Sequence, residues 1–545
     1  MTDQPTRSPK RGSSALWTLP PLLVALAIAV PLLIVLSVLP APAGEAWRHL
    51  RETLLLEYMG RSLQLMLLTG SFALIIAVPC AWFTGACRFP GSATLGWLLV
   101  LPLAAPAYVV AYAYTDLLDV SGPIQAALRQ ALELSPQALV LPPIRSLPGA
   151  ALLLSLVLYP YVYVLARNAF ATRSGLHFEA ARVLGVGPLL AFWRVALPAA
   201  RPAIAGGLAL VLMETLADFG VVEYFSVPTL STGIYRTWIG LGEKAAALKL
   251  AALMLLFVLL LVGLEAAGRR GRADRSDHSR AASLELRGWH RWVAFAWCAV
   301  PVAFGFALPV MLLAFYAIGA GDAVLGRGFA RYLWNSISMA GGAALLATAL
   351  ALLLAYSMRL EGHRANRALI RISTLGYALP GVLLAVALLG PVSALDRWLI
   401  TWLPGAQGGR ALVSGSVAVL LYAYVCRFLT VAYQSVDAGL TAISSELDAA
   451  ARTLGASPGG VLRRVHLPLL ARPLAAGMLL VFVDVMRELP ATLLLRPFNF
   501  ETLATRVYRL ASDERLAEAS TAALCIVLIG IVPVLLINRA SRGRA

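Results

Sequence analysis

The chain has 545 residues, of which 59% are hydrophobic and only 13% are charged, and its formal net charge is +17. Soluble domains carry about a quarter charged residues, so this composition excludes a water-soluble globular protein. The arginines lie in short stretches between apolar runs and not along one polar face. This pattern excludes a nucleic-acid partner and is typical of a multi-pass protein of the bacterial inner membrane, where positive charge collects in cytoplasmic loops.

Twelve apolar runs predict membrane-spanning helices, since crossing a bilayer takes about 20 mostly apolar residues. The first six runs are Leu16–Leu39, Leu63–Trp82, Leu95–Tyr114, Ala150–Leu165, Ala203–Val222 and Ala245–Leu264. The second six runs are Val293–Ile318, Ile337–Tyr356, Ile372–Leu389, Ala411–Val431, Leu474–Leu495 and Ala522–Ile537. A basic stretch precedes the first run, but this run is longer than the core of a secretory signal peptide, so we expect it to be retained as a span.

An arginine-rich segment, residues 269–291, separates the two sets of runs and predicts a cytoplasmic linker. Around it the sequence divides into a tail at residues 1–15, a first repeat at residues 16–268, a second repeat at residues 292–538 and a tail at residues 539–545. The alternating loops on one side of the membrane hold most of the lysines and arginines. Both tails are therefore predicted to be cytoplasmic.

The two halves repeat one sequence pattern. Residues 179–185 read EAARVLG, residues 449–455 read AAARTLG, and a Leu-Pro pair follows each at the same distance. Each half holds an even number of predicted spans, so the repeats are parallel and related by an axis along the membrane normal. The sequence therefore predicts an all-α membrane protein of about 12 transmembrane helices in two parallel six-helix repeats. The matched loops, residues 172–202 and residues 441–473, then both face the cytoplasm.

Each matched loop is predicted to form a helix, a turn and a second helix. In the second copy, Ser445 is placed to cap the first helix, and Gly455 is placed to end it in a left-handed conformation. Pro458 is of the type favoured at the first position of the next helix. We expect that helix to stop near Leu467 and Pro468, because the residue before a proline disfavours helix. Two such units on one face predict two equivalent docking elements.

These loops resemble the EAA loop of the permease subunits of binding-protein-dependent ABC importers, which have the type I importer fold. In that family the loop forms a coupling helix that sits in a groove of a cytoplasmic ATPase. The resemblance implies two copies of an ATPase subunit as partners, a periplasmic substrate-binding protein, and a lipid environment. ATP and Mg are then bound by the ATPase, with no cofactor in this chain. The implied ATPase-docking residues are Glu179, Ala180, Ala181, Gly185, Leu197, Pro198, Asp448, Ala450, Ala451, Gly455, Leu467 and Pro468.

The second copy departs from the family pattern at its acidic position. Ala449 stands where the first copy has Glu179, and the acid lies one position earlier, at Asp448. The pattern therefore leaves open which carboxylate acts at the second dock.

A narrower resemblance concerns two polar stretches at the fifth and eleventh predicted spans. Residues 214–220, ETLADFG, and residues 484–506, which begin DVMREL, resemble the fused permeases of ferric-iron importers. This resemblance implies ferric iron as the substrate. The fused permease of thiamine importers shares the layout and remains the alternative, and polyamine and phosphonate permeases are more distant.

Acidic residues stand at matched positions of these two stretches. A charge at mid-span costs about 2.5–3.5 kcal/mol, so we interpret them either as lining the translocation pathway or as pairing to stabilise the helix interface. The candidate pathway residues are Glu214, Asp218, Glu223, Asp484, Arg487, Glu488 and Pro490. Intramembrane acids also fit a secondary transporter driven by an ion gradient. The two docking loops disfavour that rival, because such a carrier has no ATPase to dock.

The chain lacks the sequence features of an ATPase. Its three lysines are Lys10, Lys244 and Lys249, and none lies in the phosphate-binding motif GxxxxGK[ST]. No cysteine pair or histidine spacing indicates a metal site, and no nucleophile motif indicates a catalytic residue. The chain is therefore predicted to be a transport subunit and not itself an enzyme.

Overall fold

The computed structural model describes residues 17–40, 42, 44–135, 141–172, 180–181, 183–270, 284–319, 327–402 and 413–542. These residues are almost entirely helical. The exception is a parallel pairing of two short strands, Cys87–Arg88 and Leu284–Glu285, in which Cys87 faces Leu284. The prediction of an all-α membrane protein is confirmed in this part of the chain.

Short and long helices alternate along the first half. In chain order they are Leu19–Ser37, Glu45–Thr53, Leu55–Ala86, Ser92–Leu98, Leu101–Ala104 (3₁₀), Ala107–Leu118, Pro123–Ala131, Leu147–Ala171, Pro188–Ala191, Phe192–Ala196 (π), Leu197–Ala217, Gly220–Tyr224, Leu230–Tyr235, Arg236–Gly240 (π) and Lys244–Arg270.

The second half follows a similar order. Its helices are His290–Val302, Ala303–Ala307 (π), Leu308–Gly319, Arg327–Leu360, Arg364–Ser373, Leu375–Ala378 (3₁₀), Gly381–Trp402, Val417–Thr441, Ser445–Thr453, Pro458–Val461, Leu462–His466 (π), Leu467–Met486, Pro490–Leu495, Leu503–Ser512 and Leu516–Arg542.

The number of spans agrees with the sequence. Among the described residues, eleven helices are long and apolar enough to cross a membrane, and one sharply bent pair brings the number to twelve. That pair covers the predicted third span, where Ser92–Ala104 and Ala107–Ala131 meet at 91°. Pro106 lies at the bend, and a proline disfavours helix at the residue before it. The third span is thus a broken helix and not the straight one expected.

The ninth and tenth predicted spans were placed too early. The ninth begins at Gly381, after Pro380, and extends to Trp402, while the residues before it form the separate helix Arg364–Ser373. The tenth is Val417–Thr441. Apolar residues continue past these ends, so hydropathy alone did not locate the prolines and polar turns as boundaries.

The fifth and eleventh predicted spans also contain a break. The helix of the fifth span, Leu197–Ala217, ends before Asp218, and the helix of the eleventh span, Leu467–Met486, ends before Arg487. A short helix follows each break, at Gly220–Tyr224 and Pro490–Leu495. The expected continuous spans Ala203–Val222 and Leu474–Leu495 are therefore wrong at these points.

Two compact units can be distinguished in the fold. One contains Gly341–Tyr377 and Tyr424–Phe482 together with the described part of Met1–Leu33. The other contains Ile34–Ala340, Ala378–Ala423 and the described part of Val483–Ala545. The second docking loop lies within the first of these units. The first docking loop and both span breaks lie within the other.

Small side chains are fully buried along one of two long helices that pack together in the second of these units. Leu55–Ala86 packs along Leu147–Ala171, and its fully buried positions include Ala73, Ala77 and Ala81. Such residues let helix backbones approach closely, which is how membrane helices gain packing energy in the absence of a hydrophobic driving force between them.

Candidate functional sites

The two docking loops contain the same type of turn. Gly455 has a φ of +81° and Gly185 has a φ of +83°, a conformation that costs little only for glycine. The amide of Ala456 donates to the carbonyl of Ala451, and the amide of Val186 donates to that of Ala181, each at 3.0 Å. These bonds close the end of each helix as the sequence predicted.

The helices on either side of the second turn differ from the prediction in two details. The first helix is Ser445–Thr453 and its cap is Ser444, whose Oγ accepts from the amide of Glu446 at 3.2 Å. Ser445 is thus the first helical residue and not the cap. The second helix begins at Pro458, as expected.

The second helix does not stop at the Leu-Pro pair. It passes through a π turn, Leu462–His466, directly into Leu467–Met486, and the first copy does the same through Phe192–Ala196. Proline lacks an amide proton and its ring crowds the preceding turn, and a wider π turn provides room for it. Each docking element is therefore rigidly continuous with a membrane span.

The predicted docking residues occupy different environments. Glu179 lies outside the described residues. Ala180 and Ala450 are exposed, whereas Ala181 is buried and Ala451 is half-buried. The Leu-Pro pairs lie at the start of the following span, with Leu197, Pro198 and Leu467 half-buried and Pro468 exposed.

Two leucines that the sequence reading missed protrude from the loops. Leu184 is 82% exposed and Leu454 is 88% exposed, and each directly precedes the left-handed glycine of its turn. An isolated exposed leucine needs no explanation. Two at equivalent positions of a repeated turn form a matched apolar feature of the two loops. Their position beside the glycine was visible in the sequence, but their exposure was not.

Arg359 connects the second docking helix to the end of two membrane helices. Its Nε donates to Oδ2 of Asp448 at 2.7 Å, and its Nη2 donates to Oδ1 at 3.2 Å. Nη2 also donates to the carbonyls of Ile443 and Ser444 at 3.0 and 3.2 Å, and Nη1 to that of Leu440. The paired side chains are only 13% and 16% exposed. One guanidinium thus satisfies both a carboxylate and the free carbonyls at a helix end.

Asp448 has a second partner on the far side of the turn. Nε2 of His466 lies 2.7 Å from Oδ1 of Asp448, and since a carboxylate only accepts, Nε2 carries the proton. The hydroxyl of Tyr356 donates to the carbonyl of Pro458 at 2.5 Å, and its ring lies 5.5 Å from that of His466. We call Arg359, Asp448, His466 and Tyr356 the ionic brace.

The brace keeps Asp448 ionised. Burial by itself would raise the pKa of Asp448, but the hydrogen bonds from Arg359 and His466 outweigh burial and hold that pKa below its ordinary value. Asp448 is the acid that the sequence offered in place of Glu179. Its oxygens are occupied within this chain, so it positions the docking helix.

The first docking loop is held by aromatic rings instead. Trp82 lies twenty residues after Ser62, as Tyr356 does after Ser336. The Trp82 ring is 5.3 Å from that of Phe170 and 4.8 Å from that of Phe192, which belongs to the π turn of the first loop. Equivalent loops are therefore secured by apolar packing in one repeat and by charge in the other.

The matched acids at the two span breaks bind helix ends. Oδ2 of Asp218 accepts from the amides of Val221 and Val222 at 3.1 and 3.2 Å. Glu488 accepts from the amides of Ala491 and Thr492, each at 3.0 Å. In both repeats the carboxylate satisfies the first free amides of the short helix after the break. The sequence predicted that these acids correspond but not that they cap helices.

The other candidate pathway residues are partly paired. Asp484 pairs with Arg487 at 2.5 Å, and Arg487 also donates to the carbonyl of Leu103 at 2.7 Å. Glu223 pairs with Arg236, with a shortest distance of 3.1 Å. The remaining two are half-buried Glu214, one turn before Asp218, and Pro490, the first residue of its short helix.

The two breaks approach each other at Gly220, beside a buried tyrosine. A Cβ placed on Gly220 would lie 2.7 Å from Cβ of Tyr108 and 3.2 Å from a methyl group of Leu489. Tyr108 is buried, and its hydroxyl has no hydrogen-bond partner among the described residues. The breaks of the two repeats thus approach each other around Tyr108, which the sequence reading did not single out.

The repeat extends to the hydrogen bonds beyond the breaks. Ser62 accepts from the amide of Leu230 at 2.9 Å, and Ser336 accepts from that of Leu503 at 2.8 Å. Both helices begin with a capping box, Thr229 with Thr232 and Thr502 with Thr505. The fold itself therefore carries the duplication that the loop motifs predicted.

The sequence matches the family model of the binding-protein-dependent transport system inner membrane component twice, over residues 10–270 and 347–544. The chain belongs to this family. Both halves carry the family's membrane unit, and the chain is a multi-pass inner-membrane permease of the ABC importer type, that is, a transport subunit. Family membership implies, in general, an ATPase and a periplasmic binding protein as partners.

Named relatives span most of the chain. The Fe(3+)-transport system permease protein FbpB 2 of Haemophilus influenzae is 24% identical over 494 residues, which cover 89% of this chain and 90% of that relative. The ferric transport system permease protein FbpB of Actinobacillus pleuropneumoniae is 22% identical over 458 residues, which cover 79% of this chain and 64% of that relative.

Proposed function

We propose that this chain forms the translocation pathway of a ferric-iron importer, to which a periplasmic binding protein delivers the substrate. The observation that carries the proposal is the match over 90% of the length of the Haemophilus influenzae ferric permease. A match of this extent includes both docking loops. Thiamine or another small solute remains the alternative substrate.

The docking loops support an ATPase on each repeat. Each loop presents one protruding leucine beside a rigid turn, 82% and 88% exposed, and each continues without interruption into a membrane span. A displacement of the ATPase would therefore be transmitted along the helix to the break at its other end. Both ATPase copies bind ATP and Mg, and this chain needs no cofactor of its own. With docking loops in the cytoplasm, both termini are cytoplasmic as well.

The breaks near Tyr108 are the proposed gate of the pathway. Their helices meet in close contact, and half-helix ends in membrane proteins are typical of transport sites. Because Asp218 and Glu488 satisfy backbone amides, we assign them to shaping the gate. The charged candidates that remain to face a permeating substrate are Glu214, Glu223, Asp484 and Arg487, and of these Glu223 and Asp484 are in ion pairs with Arg236 and Arg487.

The substrate and energy source are tested by uptake. Cells that lose this chain should lose uptake of radiolabelled ferric iron and keep uptake of thiamine, and the intact gene should restore the loss. Depletion of ATP should stop the uptake, whereas collapse of the proton gradient at constant ATP should not. If thiamine uptake is lost while iron uptake is normal, thiamine and not iron is the substrate. Uptake that follows the proton gradient would favour the secondary transporter.

A further inference from the structure

A basic pocket lies beyond the break of the second repeat. Its volume is about 520 Å³, within the range of about 300–1,000 Å³ that small-molecule sites usually occupy. It is lined by Arg331, Tyr332, Leu493, Arg496, Pro497, Phe498, Asn499, Glu501 and Arg509.

Positive charge exceeds negative charge in this pocket. Glu501 is the only acid among its lining residues. Its carboxylate is 10% exposed, pairs with Arg509, and lies 3.4 Å from Arg496. One carboxylate thus faces two guanidinium groups, while Arg331 adds a third. The second carboxylate oxygen of Glu501 and Nε of nearby Arg506 are buried without a hydrogen-bond partner in the described part of the chain.

The fold does not require this excess of charge. In the first repeat, Glu57 stands where the second has Arg331, five residues before the serine that holds the capping-box helix. Glu223 likewise stands where the second has Leu493, three residues into the short helix. The same corner of the first repeat therefore carries acids, with Glu223 paired to Arg236.

A longer loop supplies one of the arginines. The compared segment runs from the start of the short helix to the capping-box threonine. Its ends are nine positions apart in the first repeat, Gly220 to Thr229, and twelve positions apart in the second, Pro490 to Thr502. Arg496 lies in the longer loop and donates to the carbonyl of Phe500 at 3.3 Å. The second repeat thus gains a positive group, Arg496, in a loop that is longer than its counterpart in the first repeat.

We propose that this pocket binds a small, soluble, multiply charged oxyanion of the carboxylate or phosphate class. A guanidinium group matches the geometry of both with two parallel hydrogen bonds. Arg331 is exposed and Arg509 is 48% exposed on its side chain, so both are accessible. The carboxylate of Glu501 holds Arg496 and Arg509 in place, and its single negative charge does not cancel the charge of the arginines.

The pocket also bears on the form in which iron would arrive, a consequence that rests on the proposed function. Three guanidinium groups repel a bare trivalent cation. On the proposed topology this corner faces the periplasm. Iron would therefore pass it as a complex whose oxyanion ligands give it negative charge, or the pocket would take up the anion when the complex separates.

Anion binding is measured without iron, on the purified chain with its ATPase in discs of zwitterionic lipid. Citrate and inorganic phosphate are titrated by calorimetry. Arg331→Gln should weaken binding about tenfold, because one charge-assisted contact is lost. Glu501→Gln should strengthen binding, since it keeps a hydrogen-bond acceptor for Arg496 and Arg509 and removes the only negative charge among the lining residues. Arg61→Gln, which removes an arginine at the corresponding end of the first repeat, should leave it unchanged.

Three results would overturn the proposal. Binding that is equal in the wild type and in Arg331→Gln would place the anion elsewhere. If neither anion binds and Arg331→Gln weakens capture of the binding protein, the pocket is instead a contact for acidic side chains of that protein. Loss of citrate binding in discs of anionic lipid would make a lipid headgroup the occupant. The proposed function fails separately, in the uptake assay, because these titrations contain no iron.

Discussion

The variant with both Leu184→Asp and Leu454→Asp is expected to insert into the membrane normally and to lose ATP-driven uptake. These leucines are 82% and 88% exposed. Burying a leucine at an interface contributes about 1.5–3 kcal/mol, and burying an unpaired carboxylate there costs more. Each dock should therefore weaken by roughly tenfold or more, and two docks should release the ATPase. Co-purification of the ATPase with the permease measures the loss.

The matched control is Leu132→Asp. Leu132 is 56% exposed, lies at the end of the helix Pro123–Ala131 and belongs to neither docking loop. This variant should keep the ATPase and the uptake. If the double variant retains the ATPase as well as the control does, the leucines are not the anchors.

Arg359→Met is expected to disable the second docking loop selectively. The substitution keeps an unbranched side chain without the guanidinium group, so that Asp448 retains only His466 as a partner and three carbonyls lose their donor. Removing one member of a buried ion pair costs about 3–5 kcal/mol. Faster hydrogen exchange should therefore be seen in the helix Ser445–Thr453 and not in the first loop, whose aromatic packing is unchanged.

A second substitution separates lost pairing from lost packing. Adding Asp448→Asn to Arg359→Met removes the uncompensated charge, so the double variant should recover part of the exchange protection and of the uptake. Arg364→Met, at an exposed arginine of the next helix, should behave as the wild type. Equal behaviour of Arg359→Met and Arg364→Met would show that the brace does not position the loop.

Local sequence signals predicted the parts of the structure that local interactions determine. The duplicated helix, turn and helix follow from Gly185, Gly455 and Pro458, whose backbone preferences do not depend on distant residues. Span number followed from composition for the same reason.

Contacts between distant segments were not predictable in this way. Arg359 and Asp448 are 89 residues apart, so no spacing rule relates them. The broken third span and the breaks after Ala217 and Met486 lie within continuous apolar runs, which hide a change of direction from a hydropathy reading. The basic pocket likewise joins Arg331 to residues more than a hundred and sixty positions later.

Cross-linking from both loops tests most directly whether an ATPase docks on each repeat. Single cysteines at Ala180 and Ala450, both exposed, are combined with a short thiol-reactive linker in a complex that still transports. Four of the five native cysteines are buried and the other is half-buried, so the engineered thiols are the more accessible. We predict a permease–ATPase product from each position, formed to a similar extent. An active complex that yields no product from either position would contradict the assignment of these loops as the docks.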